Sequence, residues 1–199
     1  MKKAQNIALW VLAVVVGEMV LFWGVGQFFA DKAIQYQLTA RYSARVSLGL
    51  FSGLYLWVGL EGWKTIYASN QKQTVAWTVW LVLAVNHAVH FYFLAMTHHL
   101  LGWELWTGKS LGGAIGYVII LIMPLILWDK KELTRGVYAM LLFAFVYLEM
   151  IFFVSYLGRW NRDLTLASPP VVYQACALWV VLLFLLNLRR VWLDRGKSW

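Results

Sequence analysis

The stretch VAWTVWLVLAVNHAVHFYFLAMTHHLL, residues 75–101, reveals what kind of fold this chain adopts. It contains no Asp, Glu, Lys or Arg. At about 1.5 Å per residue, a helix of this length more than crosses the roughly 30 Å hydrocarbon core of a bilayer. The stretch therefore reads as a transmembrane helix. It also holds all four histidines of the chain, His87, His90, His98 and His99. Ionisable side chains at membrane depth are costly and point to function by default, so the segment that reveals the fold also locates the candidate site.

Beyond this stretch, 62% hydrophobic residues, 13% charged residues and a mean hydropathy of +0.66 exclude an ordinary soluble domain. Apolar runs recur at about residues 7–29, 46–67, 75–101, 111–128, 137–157 and 171–188, each near the length of one crossing. The expectation is an all-α integral membrane protein, a bundle of six transmembrane helices forming one domain over residues 1–199. Met1-Lys-Lys before an apolar run resembles a signal peptide, but the run is long for one, and it is read as a retained first helix. With six crossings both termini share a side. That side collects Lys2, Lys3, Lys64, Lys72, Lys130, Lys131, Arg135, Arg189, Arg190, Arg195 and Lys197, the majority of the 17 basic residues. Lys32, Arg41, Arg45, Lys109, Arg159 and Arg162 fall on the other. The bias places both termini in the cytoplasm, in a bacterial-type inner (plasma) membrane. It also explains the net charge of +8 through topology and anionic lipid headgroups, without a nucleic-acid partner.

Most of the 13 tryptophans, among them Trp10, Trp57, Trp63, Trp103, Trp106, Trp128, Trp160, Trp192 and Trp199, fall near span ends and read as an interfacial belt. The one cysteine, Cys176, cannot form an intrachain disulfide. Gly49-x-x-x-Gly53, Gly112-x-x-x-Gly116 and the stripe Ala13, Gly17, Gly24 are read as places where helices of the bundle pack closely. Pro124 inside the fourth span predicts a kink or a freed carbonyl. The connection 30–45 is expected to form a short helix on the outer surface, able to act as a lid.

Glu18 and Glu149 lie near the middle of the first and fifth spans, and Glu61 near the inner end of the second. A carboxyl in hydrocarbon must be protonated, paired or hydrated, so Glu18 and Glu149 need partners. Counting residues from the span ends places Glu18, His87 and Glu149 within about one helical turn in depth, with His90 one turn outward. On a wheel of about 100° per residue, His90 and His98 share a face with His87, flanked by Asn86 and Thr97, and His99 does not. His98 rises about 16 Å beyond His87 and cannot bind the same ion. Two layers follow: a midplane layer of Glu18, His87, His90 and Glu149, and an outer-surface layer of His98 and His99 with Glu104 or Asp31 nearby.

The midplane layer suits three chemistries. Two imidazoles and two carboxylates form a ligand set for a transition metal such as Zn, Fe or Cu. A haem would need either two protomers or a His/Met pair through Met19, Met123 or Met150. Proton or ion handling is the second, with His98 and His99 exchanging protons at the surface. Acid/base catalysis on a lipid-soluble substrate, with Glu18 or Glu149 as acid and a His as base, is the third. Against all three stands a polar network that only locks the helices together.

The run Gly17-Glu-Met-Val-Leu-Phe-Trp-Gly-Val-Gly-Gln-Phe-Phe29 resembles the glutamate-bearing helix of subunit III of haem-copper oxidases, where an acid precedes a Phe-rich, small-residue run. The likeness covers one helix of six. The family's later Thr-Gly and His-Gly-x-His stretch has no counterpart in residues 107–116. The resemblance implies an accessory place in a larger complex. The expected function is accordingly a small membrane subunit of an electron-transfer or oxidase-like assembly, in contact with lipids and other subunits; the alternatives are a metal-dependent membrane enzyme or a proton-handling protein. A lipid-facing patch rich in small and aromatic residues would favour the subunit, and a closed cavity reaching the polar residues the enzyme.

Overall fold

The structure is a computed structural model, described over residues 2–105, 111–128, 132–160 and 169–194. Among the described residues there are seven helices: α1 (Lys2–Phe28), α2 (Lys32–Glu61), α3 (Trp63–Tyr67), α4 (Asn70–Leu101), α5 (Leu111–Ile126), α6 (Arg135–Leu157) and α7 (Pro170–Asp194). Five are long and apolar enough to cross a membrane, namely α1 from Ile7, α2, α4, α6 and α7, while α5 is a shorter apolar helix. The chain is a multi-pass helical membrane protein. Of the basic residues used to orient it, Lys109, Lys130, Lys131, Arg162, Arg195 and Lys197 lie outside the described residues, as do Trp106 and Trp199.

The segment expected to form a separate surface helix, 30–45, is instead the first half of α2, which runs unbroken to Glu61. No Gly or Pro interrupts it before Gly49, and Asp31 Oδ1 accepts from the amides of Ala33 (2.7 Å) and Ile34 (3.2 Å), starting the helix at once. Its polar residues were the misleading signal. Gln35, Thr39, Ser43 and Ser47 recur every fourth position and are all buried, so they line one inward face rather than a wet loop. At its other end α2 stops earlier than the apolar run 46–67 suggests, because Gly62 takes φ 83° and starts the short α3 in a new direction. At Pro124, α5 continues for two more residues, to Ile126.

The contacts group into two compact units, Met1–Leu50 with Thr78–Ile126 and Phe51–Trp77 with Leu127–Trp199. In the first unit α1, the first half of α2 and the second half of α4 meet through aromatic rings: Phe22 stacks on Phe93 at 5.6 Å, and Tyr36 lies 4.8 Å from Phe22 and 6.2 Å from Tyr92. Gln35 Nε2 donates to Phe22 O at 2.8 Å. A Cβ on Gly26 would strike that Gln35 amide, so α1 and α2 approach closely there.

In the second unit Phe145 of α6 is the hub, packed by Tyr55 (4.7 Å), Trp63 (5.4 Å) and Phe51 (5.7 Å). Trp63, expected in the interfacial belt, is thus buried in a core, whereas Trp10, Trp103, Trp128 and Trp192 are exposed. Asn187 Nδ2 of α7 donates to Tyr55 O at 3.0 Å, and Gly59 lets α2 approach Leu186 and Asn187. Lipid tails are as apolar as these side chains, so stability rests on such close packing and on interhelical hydrogen bonds, worth roughly 0.6–2 kcal/mol each.

Of the small-residue stripes, Gly116 of the α5 pair is buried, but the α1 and α2 stripes differ from expectation. Cβ atoms added at Gly17, Gly24, Gly49 or Gly53 would meet nothing within 4 Å. Gly17, Gly49 and Gly53 are exposed, so among the described residues these stripes make no close helix contact. On α1 the exposed face also carries Trp10, Val16, Val20 and Trp23.

Candidate intramembrane polar site

In the first unit Glu18 of α1 is buried, with 3% of its surface exposed, and one oxygen accepts a hydrogen bond from Asn86 Nδ2 of α4. Asn86 Oδ1 in turn accepts from Ser47 Oγ of α2. One asparagine thereby ties three helices, acting as donor to the acid and acceptor from the hydroxyl, which its two-faced amide permits. Ser43 lies next to the carboxyl, and Ser43 Oγ and Glu18 Oε2 have no well-formed hydrogen bond among the described residues.

The histidine pair sits beside this network on the same helix, turned toward α5. The rings of His87 and His90 lie 5.8 Å apart, and Tyr117 packs against both, edge-on to His87 at 5.1 Å and stacked on His90 at 5.9 Å. Thus it is Asn86 that holds Glu18, while the imidazoles pack against each other and against Tyr117.

Glu149 belongs to the second unit. It is buried, and Tyr55 Oη donates to its Oε2, while Oε1 has no hydrogen-bond partner among the described residues. The two carboxyls share a pattern among the described residues, since each has one oxygen held by a neutral donor and the other without a hydrogen-bond partner. Ion pairs among the described residues include Glu61 with Lys72 at 2.6 Å and Arg190 with Asp194 at 3.1 Å.

The outer-surface candidates are arranged differently from a ligand set. His98 Nδ1 lies 3.0 Å from the backbone oxygen of Glu104 and its ring packs edge-on to Trp103; His99 is exposed, and Asp31 caps α2. Among the described residues no three His, Cys, Asp or Glu side chains gather closely enough to hold a metal ion. Of the methionines weighed as haem ligands, Met19 and Met150 are about half exposed and Met123 is buried.

Reading the sequence missed Ser43, Ser47 and Tyr55 as members of these networks. The four-residue spacing of Gln35, Thr39, Ser43 and Ser47 was the available signal for the serines. Nothing local marks Tyr55 as a carboxylate partner, because a tyrosine in an apolar run is ordinary. Set against known protein families, curated proteins and solved structures, the chain matches none.

Proposed function

We propose that this protein is a six-span subunit of an electron-transfer or oxidase-like complex in a bacterial-type inner membrane, with both termini cytoplasmic, and that Glu18 and Glu149 carry protons within it. The observation that carries the proton reading is the pattern at the two acids: buried carboxyls, held by Asn86 and Tyr55, without a cationic partner among the described ion pairs. An unpaired carboxylate in that setting is expensive, so such a group holds a proton until a pathway lets it leave. The subunit reading is supported by the exposed face of α1, where Gly17 leaves open space between Trp10 and Trp23. That is the kind of surface a neighbouring transmembrane helix packs against.

Isolation from native membranes in a mild detergent tests this. The chain is expected to migrate within a larger, haem-containing assembly, and Gly17→Leu to release it without unfolding it. A chain that runs alone and colourless from native membranes would count against the subunit.

The second reading is a bound metal or haem using His87 and His90. The closely packed pair of rings supports it. Elemental analysis and an optical spectrum of the native chain beside a His87→Ala/His90→Ala variant decide it: near-stoichiometric metal or a Soret band lost in the variant would favour a cofactor over proton carriage alone.

A further inference from the structure

The first unit contains a line of buried polar groups that the hydrogen bonds of Glu18 do not use up. On α2, Gln35, Thr39 and Ser43 succeed one another every four residues, exposed by 3%, 0% and 0%. The line begins one turn from Asp31 and Lys32, which are exposed where α2 starts, and Lys32 Nζ reaches Gln35 Oε1 at 2.9 Å. It ends at Ser43 beside the Glu18 carboxyl. Thr39 Oγ1 donates to Gln35 O at 2.8 Å, which leaves its lone pairs to accept. Ser43 Oγ and Glu18 Oε2 each lack a hydrogen-bond partner at the buried end among the described residues. A row of buried side chains that served only to let helices approach would not need to leave two oxygens beside the acid without a hydrogen-bond partner among the described residues.

We propose that Gln35, Thr39 and Ser43 form a proton path joining the Asp31/Lys32 end of this unit to the Glu18 carboxyl. Successive members rise about 6 Å along the helix, the span of one water hydrogen-bonded to both neighbours. A proton thus moves between bulk water and Glu18 through waters and the Thr39 and Ser43 hydroxyls, each accepting one proton as it gives up another, while the Gln35 amide only orients the outermost water by hydrogen bonding. Ser47 lies one turn further but is committed to Asn86, so the path ends at the acid. This inference rests on the reading of Glu18 as a proton carrier.

The test is infrared spectroscopy of the full chain in lipid nanodiscs after rapid mixing with D2O. The signal followed is the carboxylic-acid carbonyl band of Glu18, assigned by its loss in Glu18→Gln. Deuteration of this band is expected to slow by roughly tenfold or more in Ser43→Ala and in Thr39→Val. It should be restored in Ser43→Thr and unchanged in Ser52→Ala, a buried hydroxyl of the other unit. Unfolding midpoints identify any variant that fails to fold, and Thr39→Val, nearly isosteric, carries the test should Ser43→Ala prove unstable. An exchange rate untouched by Ser43 and Thr39 would overturn the path while leaving Glu18 as a carrier. Absence of any acid band from Glu18 would overturn both.

Discussion

Gly62 shows how much one backbone angle decides in this chain. With φ at 83° it separates α2 from α3, and a Cβ there would collide with the Arg190 guanidinium, which also donates to Leu60 O at 3.3 Å and bonds Asp194. Gly62→Ala is expected to destabilise the protein by roughly 1–3 kcal/mol, read as a lowered midpoint in thermal unfolding in detergent. A change of similar cost should follow loss of Asn86, but with a different signature. Because Asn86 bonds both Glu18 and Ser47, Asn86→Ala and Glu18→Gln should be coupled by roughly 0.5–3 kcal/mol in a double-mutant cycle. Tyr55→Phe with Glu149→Gln should behave alike, and strict additivity in either cycle would mean that the pair does not interact in the membrane. For single residues the sequence was informative about which ones matter and poor about their partners. An acid in an apolar run announces that it needs a partner; whether that partner is His87 or the neighbouring Asn86 depends on the rotation of α4, which no single sequence displays.

For the helices, the apolar runs located all six long or apolar elements, because hydrocarbon thickness imposes a length that composition records. Their ends were less legible, since a helix does not have to stop where lipid does. Thus α2 begins at Lys32 and α4 at Asn70, and both outlast their apolar cores. Glycine spacing misled for a related reason: the motif marks a face without saying what lies opposite it. Gly59 is the position where α2 and α7 come close, since a methyl added there would stand 2.8 Å from Leu186 atoms, whereas Gly49 and Gly53 face open space. Gly59→Ala should therefore cost roughly 1–3 kcal/mol through overpacking. Gly49→Ala and Gly53→Ala should be neutral or stabilising, Ala being the better helix former by about 1 kcal/mol. Unfolding midpoints for the three variants check the order, and equal losses at all three would place Gly49 and Gly53 in a packed interface.

Across the whole molecule, topology depends on α5. Its 16 residues span only about 24 Å, short of the roughly 30 Å core, so composition and length alone leave five long crossings. The six-span proposal requires α5 to cross nonetheless, with a thinned bilayer or flanking residues meeting the shortfall. In a Cys176→Ser background, Glu104→Cys and Glu132→Cys should then react with an impermeant maleimide from opposite faces of the membrane; labelling from one face would reduce the count to five. The functional reading, however, stands or falls with Glu18 holding a proton inside the membrane and Asn86 serving as its neutral partner. The decisive experiment is an infrared pH titration of the nanodisc-embedded chain, with Glu18→Gln and Asn86→Ala beside it. The expected result is a carboxylic-acid band at neutral pH that vanishes in Glu18→Gln and shifts in Asn86→Ala. A spectrum in which Glu18 is ionised at neutral pH, with no acid band to lose, would refute it.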